Sequence, residues 1–469
     1  MKAFVLLAVT AACLLAGCAA PRPPAALPPE PAAQWQAPLP HGGSAAALRD
    51  WWQRLGDPLL TELIEAAQAA SPTLSAAQAR IEQARAARVA AGAALLPALD
   101  ASAAASRGNN QPPAPLASTV QAGVQTAWEI DLFGANRDAE RAAQARLEGA
   151  QAGWHEARVA VAAETANGYL ALRSCERQHG VAERDAQSRR ETARLAELSA
   201  RAGFTAPGDA ALARASAADA GRRLTQQRAQ CELEVKGLVA LTGLAEPGLR
   251  QRLAGGWREP PPQALPAVPA LPAQLLAQRP DVYRAEREVA AASAEVGSAQ
   301  AQRYPRLTLS GSIAAGRVRA GGVSADLQTW SIGPLALTLP LFDGGRRAAN
   351  AEAAQARYAD AANQYRARVR QAVREVEEAL LQLESARARG EDARVAAEGY
   401  AASLAAVQAR YGSGLASLLE LEESRRTALA AETTLVTLQQ ERLAAWIALY
   451  RAAGGGWTAP APALTAKGS

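Results

Sequence analysis

The chain is written twice, and this repetition constrains its fold more than any other feature. In the first half, Ser71-Pro72-Thr73-Leu74 opens a helical pattern that closes at Leu96-Pro97-Ala98-Leu99. In the second, Arg279-Pro280-Asp281-Val282 opens one that closes at Tyr304-Pro305-Arg306-Leu307. The bracketing prolines stand 25 residues apart in both copies, and the copies are offset by 208. Asp131-Leu132-Phe133-Gly134 is then matched by Pro340-Leu341-Phe342-Asp343-Gly344, and Ala142-Ala143-Gln144-Ala145-Arg146 by Ala353-Ala354-Gln355-Ala356-Arg357. Landmarks in constant order at a near-constant offset mark a duplication.

Each copy has the same layout: a helix begun by a proline, which the first helical turn tolerates, two short strands, a very long helix, a glycine-containing break and a shorter helix. The spacing predicts strands over about 99–106 and 119–132 and a helical hairpin over about 135–242 with its tip near 203. The second copy is expected to repeat these with strands at about 307–318 and 328–341 and a hairpin at about 346–452 with its tip near 412. At ~1.5 Å per residue the first long helix reaches about 100 Å. Leu147, Trp154, Val161, Gly168 and Cys175 form a seven-residue row along it, and Val369, Val373, Val376, Leu380 and Leu383 a stripe along its counterpart. Such rows are helix-packing seams. Alanine-rich composition with only 4% aromatics suits close helix packing better than a thick core.

The strands carry a different message. Val120, Ala122, Val124, Thr126, Trp128, Ile130 and Leu132 alternate with Gln121, Gly123, Gln125, Glu129 and Asp131. Leu307, Leu309 and Ile313, then Leu335, Leu337, Leu339 and Leu341, repeat the pattern, with a bend expected at Gly333-Pro334. Alternation over more than ten residues is what a lipid-facing, water-lined barrel strand requires. Four strands cannot close a barrel, so the chain points to an oligomer in which three copies supply twelve.

The N-terminus reads as a targeting signal over residues 1–17: Lys2, an apolar run from Phe4 to Leu15, then Leu15-Ala16-Gly17-Cys18. Small residues before a cysteine resemble a bacterial lipobox, with lipidation at Cys18 and Ala19 favouring the outer membrane. A Pro/Ala-rich tether follows over 18–47, then the first repeat over 48–260, the second over 261–457 and a flexible tail over 458–469. No later segment has the ~18 consecutive apolar residues of a membrane-spanning helix.

Several residues carry a resemblance. The lipobox, Trp51-Trp52 with Asp57-Pro58-Leu59, Arg279-Pro280-Asp281-Val282, Gly333-Pro334 with Pro340-Leu341-Phe342-Asp343-Gly344-Gly345-Arg346, and Leu449-Tyr450 with Gly454-Gly455-Gly456-Trp457 resemble the TolC-like outer membrane factors, in particular their NodT/OprM lipoprotein branch. The resemblance implies a mainly α trimeric channel: a twelve-stranded outer-membrane β-barrel continued by a periplasmic α-helical barrel. It would act as the passive exit duct of a tripartite efflux system for drugs or other small toxic compounds, with a periplasmic adaptor and an inner-membrane pump as partners. A type I protein-secretion duct and a non-pore coiled-coil lipoprotein spacer are the alternatives; lipid-facing strands and Trp128 argue against the spacer.

The cysteines bear on the first hairpin. With Cys13 and Cys18 in the signal, Cys175 and Cys231 remain, and their midpoint is Gly203. An antiparallel hairpin turning there sets both at one height, where they either form a disulfide or stay as two separate thiols. The resemblance further implies that Asp209, Tyr411, Glu420 and Glu423 lie at a constricted periplasmic gate, where carboxylate rings attract cations. Ala416 stands where a gating arginine is expected. The tips, Gly203 and Phe204 in one hairpin and Gly412, Gly414 and Leu415 in the other, are the expected adaptor-docking points.

Catalysis, cofactors and nucleic acid have no support in the sequence. The three histidines, His41, His155 and His179, are scattered. Gly412-Ser413-Gly414 reads as a turn rather than a nucleophile elbow. Glu375, Glu377 and Glu378 read as a charged helix face. Fifty basic and 45 acidic residues are spread through the chain without a basic block.

Overall fold

The computed structural model describes residues 20–28, 52, 56–109, 116–255 and 279–457. The signal, Cys18, most of the tether and the tail lie outside the described residues. The elements run α1 (Pro58–Ala70), α2 (Pro72–Ala93), β1 (Ala98–Gly108), β2 (Ala117–Ile130), α3 (Ala135–Arg201), α4 (Pro207–Thr242), α5 (Glu246–Leu253), α6 (Pro280–Ala301), β3 (Arg306–Ala320), β4 (Val323–Thr338), α7 (Arg346–Gly412) and α8 (Leu418–Ala452). None of these helices is long and apolar enough to cross a membrane.

Two compact units share these elements. The first holds the strands, α2 from Ala77, α6 from Tyr283, and the beginnings of α3 and α7. Its strands form one antiparallel sheet in the order β1-β2-β3-β4. Residues paired across an antiparallel ladder share a face. Val124 pairs with Ile313 and Ile313 with Trp330; Trp128 pairs with Leu309 and Leu309 with Leu335; Ile130 pairs with Leu307 and Leu307 with Leu337. One face is therefore apolar, and Ile313, Trp330, Leu335 and Leu337 on it are exposed. The other carries Gln121, Gln125, Glu129, Thr308, Ser310, Ser312 and Ser331, with the Ser312 and Ser331 hydroxyls 3.0 Å apart.

Strand β4 differs from the sequence expectation of 328–341. Pairing begins at Val323 and ends at Thr338, because Val323–Asp326 finds partners in Arg317–Ala320. Leu309 pairs with Leu335 but Gly311 with Ile332, so β4 carries an extra residue at Gly333-Pro334. That bulge lets Trp330 and Ile332, at even positions, share a face with Leu335 and Leu337, at odd ones. Strand β2 stops at Ile130, because Asp131 turns to cap α3, accepting from the Asn136 and Arg137 amides at 3.3 and 2.9 Å. Asp343 does the same for α7, accepting from the Gly345 and Arg347 amides.

Beside the sheet, Phe133 of the first copy stacks on Tyr304 of the second with centroids 4.9 Å apart. The tether is not wholly free: residues 20–28 lack regular structure but lie against α3, α6 and α7, with Ala20 buried.

The second unit holds α1, α4, α5, α8, the first turns of α2 and α6, and the remainders of α3 and α7. Leu60, Leu63, Tyr169, Leu172, Leu238, Leu249, Leu380, Leu421 and Ile447 are its fully buried large side chains. Asp57 caps α1 through the Leu59 and Leu60 amides and also accepts from the Tyr169 hydroxyl. Arg279, buried, grips Asp281 bidentately at 2.9 and 2.8 Å and reaches Glu375 at 2.7 Å and the Ala452 carbonyl at 2.8 Å. It thus ties the start of α6 to α7 and the end of α8. Cys175 and Cys231 are bonded, joining α3 to α4 with their Cα atoms 5.5 Å apart.

Candidate functional site: the two hairpin tips and the node behind them

The tips close by the same device. In the first, the Phe204 amide donates to the Ser199 carbonyl at 2.9 Å and the Gly203 amide to that of Ala200 at 3.1 Å. In the second, the Leu415 amide donates to the Arg410 carbonyl at 2.8 Å and the Gly414 amide to that of Tyr411 at 3.0 Å. Both are Schellman closures, whose closing residue takes the left-handed conformation that glycine adopts without penalty. Gly203 has φ +79° and Gly414 φ +76°. Gly412, the expected centre of the second tip, is instead the last residue of α7. The residue after each closing glycine is a protruding apolar one, Phe204 at 86% exposure and Leu415 at 71%.

The return helices start differently. Pro207 opens α4 behind an uncapped Ala206, with Asp209 in the first turn. Asp209 is exposed and has no ion-pair partner among the described residues. Helix α8 is capped by Ser417, whose hydroxyl accepts from the Glu420 amide at 3.1 Å. The Glu420 carboxylate takes Arg410 at 2.7 Å, and Arg410 also donates to the Leu415 carbonyl at 3.1 Å. The arginine that meets Glu420 thus stands within the same tip, six positions before Ala416. Glu423 is exposed and pairs with Arg426 one turn on, which holds its carboxyl below the usual range. Tyr411 is half-buried against Ala193, Ala196, Ala213 and Leu418, so small side chains of α3 and α4 pack the tyrosine of α7 and the first residue of α8.

Behind this contact lies a set of charges that sequence reasoning missed. Arg189 of α3 shares its Nε–H between the two Asp185 oxygens at 2.9 and 3.0 Å, donates to Ser216 of α4 at 2.6 Å and pairs with Glu422 of α8. Ser216 donates to the same Glu422 oxygen at 2.6 Å. Arg425 donates to the other at 3.0 Å and to Ser188 at 2.8 Å. The side chains of Arg189 and Glu422 are 9% and 13% exposed. Water competes weakly there, so the node holds the first hairpin to the second. Glu423, which the resemblance implies at the gate, is the solvent-facing neighbour of the residue that joins them.

An amphipathic four-stranded sheet, two long helical hairpins from one duplication, and tips of matching construction define a subunit of an outer-membrane channel. The chain belongs to the outer membrane efflux protein family, whose model matches residues 63–244 and 271–455, one segment for each copy. It is 30% identical over 476 residues to the pyoverdine export outer membrane protein OpmQ of Pseudomonas aeruginosa, covering 98% of this chain and 99% of that one. It is 29% identical over 420 residues to nodulation protein T of Rhizobium leguminosarum bv. trifolii, covering 88% and 89%. Among solved structures, the outer-membrane channel OprN superposes with a TM-score of 0.78 at 28% identity, over 92% of this chain and 99% of that one.

Proposed function

We propose that three copies of this chain close a twelve-stranded barrel in the outer membrane. The complex is then the passive exit duct of a tripartite efflux system, serving drugs or other small toxic compounds. The observation that carries this reading is the sheet: one face apolar and exposed, the other polar, with the outer edges of β1 and β4 unpaired within the chain among the described residues. Unpaired edges are excluded from lipid, so the strands have to meet partners from other copies. The pyoverdine export relative supports a small-molecule cargo. The duct performs no chemistry; an inner-membrane pump and a periplasmic adaptor deliver the cargo. Gly203, Phe204, Gly412, Gly414 and Leu415 form the surface the adaptor meets. Asp209, Tyr411, Glu420 and Glu423 set the resting mouth, with Arg410 holding Glu420. An acyl chain on Cys18 anchors each copy. Single-channel recording in a planar bilayer tests the reading, together with the mass of the detergent-solubilised complex. A trimer with discrete conductance steps is expected; a silent monomer overturns it.

A further inference from the structure

Residues 20–28 are held by side chains from three different helices. Arg22 Nη1 donates to Asp138 Oδ1 of α3 at 2.8 Å. The Ser293 hydroxyl of α6 donates to the Pro23 carbonyl, and the Tyr358 hydroxyl of α7 to the Pro24 carbonyl at 3.0 Å. A proline-rich segment has few amides and presents mainly carbonyls, and two hydroxyl donors are what such a segment can use.

The receiving side is built rather than incidental. Ser293 is 0% exposed and Asp138 5%. With the strap lifted, Ser293 loses its acceptor and Asp138 keeps Arg141, at 2.7 Å, so the docked strap supplies one partner to each of these two groups. Helix α6 is notched opposite them. A Cβ at Gly297 would fall on Asp138 Oδ2 and come within 3.5 Å of the Arg22 Cβ. A larger residue there displaces the carboxylate that Arg22 recognises.

We propose that this groove of α3, α6 and α7 is a receptor for the chain's own mature N-terminal segment, with Arg22 and Asp138 as its recognition pair. Ala20 is buried two residues after Cys18, so an acyl chain on Cys18 leaves the channel body from one fixed place and not from the end of a loose leash. The docking stands on the contacts alone; its consequence for the anchor rests on the lipidation reading above.

A nitroxide on Ala25→Cys, an exposed strap position, reports the docking in the full-length protein. Cys175 and Cys231 are bonded and do not compete for the label. The slow-motion spectrum of a held segment is expected. Arg22→Ala, which lies on the strap and leaves the helices intact, lowers the docked-to-free ratio by roughly ten-fold or more, as loss of a charge-assisted hydrogen bond implies. Gly297→Ala, on the groove side, does the same. A fast spectrum in the unaltered protein, or a slow one indifferent to both changes, overturns the proposal. A form with an ordinary cleavable signal in place of residues 1–18 separates the two readings. Docking in the groove keeps its spectrum slow, whereas a fast spectrum in that form alone means that lipid holds the strap and refutes the groove. The mass of the N-terminal peptide reports acylation independently.

Discussion

Arg189 of the first hairpin and Glu422 of the second form a buried ion pair to which Ser216 and Arg425 also contribute. Three helices meet at these two side chains, and removing either one strands charge away from water.

Glu422→Ala is expected to cost about 3 kcal/mol or more, the usual penalty for breaking a buried pair. Denaturation of the detergent-solubilised protein measures it. The joint change Arg189→Met with Glu422→Leu should cost less than the two single losses added, because no uncompensated charge remains at that pair. Strict additivity would show that the two side chains act independently. In planar bilayers, Glu422→Ala is also expected to raise the resting conductance.

Arg410→Ala releases the Glu420 carboxylate at the second tip. The pair is exposed, so stability changes by no more than about 1 kcal/mol. The functional effect is larger than the structural one: the permeability ratio of cation to anion, read from reversal potentials across a salt gradient, should rise. Glu420→Gln on top of Arg410→Ala should bring it back down. An unchanged ratio in both variants places Glu420 away from the ion path.

The Cys175–Cys231 bond closes a loop with a sequence separation of 56. Chain entropy alone assigns such a crosslink roughly 4 kcal/mol, so Cys175→Ser or reductant should lower the melting temperature by several degrees. A free-thiol assay on denatured, unreduced protein should find neither cysteine reactive. Two reactive thiols would rule the bond out.

Glu375 makes stability depend on acid. Burial raises its pKa, but the hydrogen bonds from Arg279 and Gln371 and the charge of Arg279 outweigh that, leaving the carboxyl below its ordinary 4.5. The folded chain therefore binds this proton less readily than the unfolded one. The contribution is complete above 4.5 and is lost as pH falls through the depressed folded value. Melting followed from about pH 6 to about pH 3 should decline less steeply in Glu375→Gln than in the unaltered chain. Identical slopes would remove Glu375 from the acid response.

What could be read from the sequence was what the backbone enforces. Gly203 was legible as a turn because a left-handed closure penalises every side chain, and the duplication carried the same logic to Gly414. At the second tip three clustered turn residues offer two glycines, Gly412 and Gly414, and only the hydrogen bonds choose Gly414 as the closing one. Lipid-facing strands were legible because lipid enforces alternation over many residues.

The Arg189–Glu422 pair was not legible. Arginines and glutamates recur every three or four residues along these helices, and nothing local tells a solvated Glu423 from a buried Glu422. That difference is set by how α8 is rotated against α3, a property of packing. The strap was hidden for another reason: its recognition runs partly through proline carbonyls, which leave no mark on side-chain pattern. Proline richness alone suggested a tether.

The bulge at Gly333-Pro334 bears on how this strand can change in length. Outward residues occupy even positions before it and odd positions after it. Deleting one of the pair would remove the bulge and leave a plain alternation, with Leu335 and Leu337 still on the apolar face beside Ile332. Lengthening or shortening the paired strand by one residue away from that point would exchange inside for outside along the part beyond it. Away from the bulge, insertions and deletions in β4 are therefore tolerable only in twos, and related chains should differ in this strand by even numbers unless they have gained or lost the bulge itself.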